Sequence, residues 1–143
     1  MLFDHRFADL TAEQFHRILR LRFDVFVVEQ ACIYPELDGR DTESGTRHLW
    51  FEFSGAAIGC YLRVLDDGDA RRIGRVVTAP SHRSQGLAAD LVHQAVSRTT
   101  GPWILDAQSH LEQWYEQRGF RRVGDEFVED AIPHVPMMRD VDV

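Results

Sequence analysis

The stretch Ile73-Gly74-Arg75-Val76-Val77-Thr78-Ala79-Pro80-Ser81-His82-Arg83-Ser84-Gln85-Gly86-Leu87-Ala88 switches pattern at its middle. Its first part is rich in β-branched residues and reads as the end of a strand from about Ala70 to Thr78. Beyond Ala79-Pro80, Leu87, Ala88, Leu91, Val92, Ala95 and Val96 make a wide apolar stripe, which predicts a helix from about Gly86 to Arg98. Gly101-Pro102 ends that helix, and Trp103 to Ala107 reads as a second strand. Strand, helix and strand form a βαβ unit, with parallel strands joined by a right-handed crossover. Ligands favour the carboxyl ends of such strands. The loop Ala79 to Gln85 and the segment after Ala107 therefore emerge on one side of the sheet.

Outward from this unit, Asp66-Asp67-Gly68-Asp69 and Ser54-Gly55 read as turns that join strands at about 48–53, 57–65 and 70–78 into an antiparallel set. In the first, Leu49, Phe51 and Phe53 face one way and His48, Trp50 and Glu52 the other. Thr11 with Gln14 is a capping-box pattern opening an amphipathic helix over 12–28, and a weaker strand spans Leu2 to Phe7. Glu29 to Thr46 reads as a long loop with Pro35, Gly39 and Gly45. Ser109 with Glu112 predicts a second capping box, on a helix carrying Leu111, Trp114, Tyr115 and Arg118 and closed by Gly119. Phe120–Val128 and Val135–Arg139 read as the last strands. The fold class is α/β, a mixed sheet flanked by helices.

The 143 residues, 44% of them hydrophobic and 27% charged, suit one globular domain spanning 1–143. There is no internal repeat and no linker-like segment. The longest nearly apolar run, Gly55 to Leu62, is far shorter than the ~18 residues of a membrane span. Charges at Asp4, Arg6 and Asp9 interrupt the amino terminus where an export signal would be greasy, which points to the cytoplasm. Cys32 and Cys60 fit neither a disulfide framework nor a zinc site and are expected as reduced thiols, with no metal. A net charge of −7 argues against nucleic-acid binding.

Within this acidic chain, Arg71, Arg72, Arg75, His82 and Arg83 form a basic island between Ala70 and Ala89 without a single acid. It reads either as chance clustering on a solvated strand or as a pocket for an anion. Arg83-Ser84-Gln85-Gly86-Leu87-Ala88 places glycine and small residues at a helix start. There, amides without internal partners and the positive end of the helix dipole can accept a diphosphate. The Walker and Rossmann glycine patterns are both missing.

What the loop does match is the R-x-x-G-x-A form of the coenzyme-A loop of the GNAT acetyltransferase superfamily. The resemblance continues in order along nearly the whole chain. Leu21 to Cys32, Asp38-Gly39-Arg40-Asp41, Thr46-Arg47-His48-Leu49, Ile104-Leu105-Asp106-Ala107-Gln108, Trp114 to Phe120 and Glu129 to His134 resemble the ElaA branch of that superfamily. Ala88 and Ser84 stand where many relatives have glycine, and neither adds bulk.

The resemblance implies a GNAT-like, mostly antiparallel sheet of about six to seven strands with one central parallel pair. It implies direct transfer of an acetyl group from acetyl-coenzyme A, as co-substrate, to an amine of a small molecule or peptide, and a possible homodimer. Val76, Val77 and Thr78 would line the pantetheine arm through main-chain groups, with the Val77 N–H on the thioester carbonyl. Arg83, Ser84, Gln85, Gly86, Leu87 and Ala88 would hold the diphosphate, Gln108 would orient an amide, and Tyr115 would act as general acid on the leaving thiolate. An alkylammonium of pKa about 10.4 is only about 0.04% neutral at pH 7, so a base is needed. Glu29, His48, Glu52 and His134 are the candidates, and the choice stays open. Glu36, Asp38, Asp41 and Glu43 read as a solvated loop whose charge would also suit a cationic acceptor. Two other readings are carried forward. One is a binding module for acyl-coenzyme A without catalysis. The other is an acyltransferase like the acyl-homoserine-lactone synthases, which have longer chains.

Overall fold

The computed structural model describes residues 1–31 and 35–141. Cys32 lies outside them. The sheet has eight strands: β1 (Leu2–Arg6), β2 (Arg47–Glu52), β3 (Ile58–Asp66), β4 (Arg71–Thr78), β5 (Trp103–Gln108), β6 (Arg121–Arg122), β7 (Phe127–Glu129) and β8 (Ile132–Arg139). Their order is β1-β2-β3-β4-β5-β8-β6, with β7 also against β8. Three α-helices accompany them: α1 (Ala12–Arg22), α2 (Leu87–Arg98) and α3 (Glu112–Glu116). No helix among the described residues is long and apolar enough to cross a membrane.

The βαβ unit is β4-α2-β5, and among the described residues β4 with β5 is the single parallel pair. Their ladder covers only Arg71 opposite Trp103 and Arg72 opposite Ile104, so the strands part beyond that point. A bulge explains the parting. Between the pairs Arg63–Gly74 and Tyr61–Val77, β4 has one residue more than β3, and Arg75 sits there at φ 52°. A bulge bends its strand and sharpens the local twist. Beyond it, β4 diverges from β5 and opens a gap at the carboxyl end of the pair.

Both faces of the sheet are covered. Leu91, Val92 and Ala95 of α2 pack with Leu49, Leu62, Val64 and Leu105 on one face. Ile18 and Leu21 of α1 pack with Trp50, Tyr61 and Val77 on the other. The expected in/out alternation of β2 therefore becomes burial on both sides, with His48 and Trp50 as inaccessible as Leu49.

Three element boundaries differ from the sequence reading. The helix expected over 12–28 keeps its Thr11–Gln14 capping box, but after Arg22 it widens into a π-helical segment, Phe23–Glu29. The β-branched residues Val25, Val27 and Val28 lower α-helix propensity there, and Gln30 N–H reaches back five residues to the Val25 carbonyl (2.9 Å). The Ser109–Glu112 box does not form. The Ser109 hydroxyl donates instead to Glu126 (3.0 Å), and a 3-10 turn at Ser109–Leu111 precedes α3. The strand expected over Phe120–Val128 splits into β6 and β7. Gly124 between them passes so close to Pro136 that an added Cβ would lie 2.8 Å from its Cγ.

Candidate active site

The gap between β4 and β5 opens onto the loop before α2. Ala79-Pro80 leads into a 3-10 turn, and Ser84 (φ 65°) and Gly86 (φ 74°) then take left-handed conformations that set the first turn of α2 facing outward. Gly86 is the N-cap and provides no side-chain cap, so the first amides of α2 have neither a helical carbonyl nor a capping oxygen. A Cβ built on Gly86 would meet nothing within 4 Å. In front of this turn lies a cleft of about 220 Å³. The 82–89 segment and Thr78 line one wall, and Trp114 and Arg118 of the α3 region line the other. The turn is open to an anion, with backbone donors and a helix dipole aimed at it.

The basic island does not supply free positive charge to that cleft. Arg71 pairs with Asp66 (3.4 Å), Arg72 with Asp67 (2.8 Å) and Asp106 (3.2 Å), and Arg75 with Glu36 (2.9 Å). Arg83 holds Glu29 with two bonds of 2.7 Å. His82 stacks on Phe53, with ring centroids 4.6 Å apart. An island without acids in sequence is thus matched acid by acid in space. The hydrogen bond from Arg83 holds the Glu29 carboxyl below its ordinary pKa, which weakens it as a base.

The acidic loop is not solvated either. Glu36 and Asp41 are buried at 2% and 3% exposure beside Arg22 (0%) and Arg63 (3%). Arg22 donates to Glu36 (2.7 Å) and Asp41 (2.7 Å), and Arg63 donates to Asp41 (3.1 Å) and Asp38 (3.0 Å). Glu43, paired with Arg40, and Asp38, held by Arg63, stay at the surface. His48 belongs to this cluster, not to the cleft. Its Nε2 lies 3.0 Å from the Asp41 carbonyl and its Nδ1 2.6 Å from the Tyr61 hydroxyl. A carbonyl only accepts, so Nε2 carries the proton and Nδ1 accepts from Tyr61. Burial lowers the His48 pKa and keeps it in this neutral form. The sequence held one signal for the cluster: Arg22 is four residues after Ile18, on the stripe of α1 that faces the core.

Tyr115, on α3, is 6% exposed and packs edge-on against Trp114 and Phe120. Burial pushes its phenol up to about 12 against an opposing pull from Arg118, so it holds its proton at neutral pH. Across the gap the Val77 side chain is buried, the Thr78 hydroxyl lies 3.5 Å from Cys60 Sγ, and the Thr78 carbonyl accepts from Arg83 (3.4 Å). Val76, Leu87 and Ala88 are half-buried against the core on the α2 side. Gln108, at the end of β5, reaches Gln30 at the end of the π-helical segment (3.4 Å). With the Glu29–Arg83 pair, that bond straddles the mouth of the gap.

Of the four base candidates, two lie toward the carboxyl end of the β4–β5 pair. Glu29 does so through Arg83, and His134 does so on β8 directly opposite Gln108. His134 Nδ1 lies 2.7 Å from the Ile132 carbonyl and must donate to it, so the neutral ring keeps its lone pair on Nε2. Glu52 accepts from Trp50 Nε1 (3.1 Å) on β2, two strands from β4. Strands are about 4.8 Å apart, which puts it about 10 Å to the side. The sequence reading passed over Trp114 and Arg118 as parts of the cleft wall. Their adjacency to Tyr115 on α3 was the available signal.

Residues 8–141 match the acetyltransferase (GNAT) domain family. A UPF0039 protein of Mycobacterium tuberculosis is 46% identical over 136 residues, 92% of this chain and 87% of its own. The crystal structure of an acyl-CoA N-acyltransferase from Pseudomonas aeruginosa is 37% identical with a TM-score of 0.92, covering 97% of this chain and 98% of that one. The crystal structure of Escherichia coli ElaA is 32% identical, also at a TM-score of 0.92, covering 98% and 99%.

Proposed function

This chain belongs to the GNAT acetyltransferase family, and on that premise we propose that it moves an acetyl group directly from acetyl-coenzyme A to a primary amine of a small molecule or peptide. The observation that carries the proposal is the open turn at Ser84–Ala88, where unpartnered amides of α2 face a cleft whose opposite wall is Trp114 and Arg118, on either side of Tyr115 in the chain. The name of the Pseudomonas relative, an acyl-CoA N-acyltransferase, supports the same chemistry.

In this reading the diphosphate sits on the amides of Ser84 to Ala88, and Arg83 reaches it by letting go of Glu29. Main-chain groups of Val76 to Thr78 take the pantetheine arm, because the bulge at Arg75 leaves that part of β4 without β5 beside it. The Val77 N–H polarises the thioester carbonyl, and Gln108 orients an amide. The amine nitrogen attacks the acetyl carbon, the carbon–sulfur bond breaks, and the electron pair leaves on sulfur. Tyr115 meets that charge. A phenol near 12 gives up its proton reluctantly to a thiolate whose conjugate acid has a pKa near 8.5, so hydrogen-bond donation is the larger part of its role. The proton lost by the amine goes to His134 Nε2 or to Glu29, directly or through water, since Glu29 pairs with Arg83 of the cleft and His134 is opposite Gln108 at the end of β5. This reading carries with it the expectation of a cytoplasmic protein.

The test is acetyl-coenzyme A with a broad amine panel, reading free thiol and the mass of the acetylated product. Stoichiometric thiol and acetyl-amine are expected. Tight coenzyme binding without transfer would favour the non-catalytic acyl-coenzyme-A module instead. The background is small: all 16 basic residues of the Lys-plus-Arg count are arginine, so the chain has no lysine of its own to acetylate.

A further inference from the structure

Arg118 differs from the arginines of the basic island. It carries no ion pair with any described carboxylate within 4.0 Å, although Arg71, Arg72, Arg75 and Arg83 each have one. Its guanidinium carbon lies 3.8 Å from the centroid of the Trp114 ring, and Nη1 donates to the Trp114 carbonyl at 2.7 Å. Its Nε is buried with no hydrogen-bond partner among the described residues. The carbonyl of Arg118 is itself tied to Arg139 Nη1 (2.7 Å), so the backbone beneath the side chain is anchored.

This arginine lines the same cleft as the first turn of α2. Two positive features, a helix N-terminus and an unneutralised guanidinium, therefore face one space in a chain of net charge −7. Stacking on an indole holds a guanidinium flat and pre-oriented, which limits the freedom lost when an anion docks on it. Phosphate is an anion whose geometry such a planar donor matches.

We propose that Arg118, seated on Trp114, is a second anion-binding residue of the cleft and takes a phosphate group at the nucleotide end of the coenzyme. The assignment rests on the acetyltransferase reading and extends it, since recognition then comes from both walls. One phosphate chemistry has two sources on this ligand, the diphosphate and the 3′-phosphate, and 3′-dephospho-coenzyme A separates them.

The experiment titrates the full chain calorimetrically with coenzyme A and with 3′-dephospho-coenzyme A, for the wild type and for Arg118→Gln. The variant is expected to bind coenzyme A about tenfold more weakly, the size of one charge-assisted contact. A loss confined to coenzyme A assigns Arg118 to the 3′-phosphate, and an equal loss for both ligands assigns it to the diphosphate. Wild-type constants in Arg118→Gln for both ligands would overturn the proposal while leaving the acetyltransferase reading intact. A wild type that binds neither ligand would overturn both. Should the glutamine variant fail to fold, Arg118→Lys carries the same test, because it keeps the charge and loses the flat face. A loss of about threefold or more then supports the seated guanidinium, and an unchanged constant overturns it.

Discussion

Arg22 and Arg83 each hold a glutamate at 2.7 Å, yet the first pair has no solvent exposure on either side chain and the second is 42% and 44% exposed. The Arg22 pair belongs to a buried cluster with Asp41 and Arg63, rimmed by the more exposed Asp38 and Arg75, which pins the loop from Pro35 to Thr46 against α1, β3 and β4. The Arg83 pair lies across the mouth of the cleft. Equal geometry carries unequal consequences. A buried ion cannot lose its partner without stranding a charge, whereas an exposed pair trades partners readily because water already screens it. Charge in the first region maintains the fold, and charge in the second is available to a ligand.

The largest way to break this contrast is Arg22→Gln. Removing one partner of the buried pair should lower unfolding stability by about 3–5 kcal/mol in urea or thermal denaturation. A loss under about 1 kcal/mol would show that the cluster is hydrated and that the two regions are alike. Next in size is Tyr115→Phe, which removes the hydroxyl and leaves the packing against Trp114 and Phe120. Turnover should fall by about a hundredfold in steady-state thiol release with the coenzyme dissociation constant unchanged, and equal turnover would remove Tyr115 from the mechanism. The smallest effect is that of Glu29→Gln. With no carboxylate competing for Arg83, coenzyme A should bind a few-fold more tightly by calorimetry, by about the factor an exposed pair is worth. Weaker binding would show that Glu29 supports the cleft instead of competing for it.

What could be read from the sequence follows the same division. The β4-α2-β5 unit and the open start of α2 rest on backbone preferences that residue types enforce locally. β-branched Ile73, Val76 and Val77, the break at Pro80 and glycine at a φ of 74° suffice to place them. Thr11 and Gln14 gave their capping box for the same reason. Beyond the place of Arg22 on the core-facing stripe of α1, the ionic cluster was not legible, because its partners stand 14 to 39 residues apart and only the folded chain brings them together. Read along the sequence, Arg75 belonged to an island that was either chance clustering or an anion pocket, and Asp41 to a solvated loop. The structure joins both to one network. Ser109 shows this on a smaller scale: its local partner Glu112 lost to Glu126, 17 residues away. His48 and Glu52 were indistinguishable from Glu29 and His134 until the fold set Glu29 against Arg83 of the cleft and His134 opposite Gln108, one strand beyond β5. Arg118 was passed over because an arginine's worth depends on which acids it fails to meet.

The central claim is that main-chain amides at the start of α2 grip the diphosphate, and Gly86→Glu tests it most directly beside Gly86→Ala. Both variants bear the same left-handed backbone strain, and neither Cβ meets an atom within 4 Å, so both should retain a cooperative unfolding transition. Only the glutamate puts a carboxylate over the amides. Calorimetric titration with coenzyme A is expected to show a loss of about a hundredfold or more in Gly86→Glu and a far smaller one in Gly86→Ala. Equal, near-wild-type affinity in the two variants would contradict the claim.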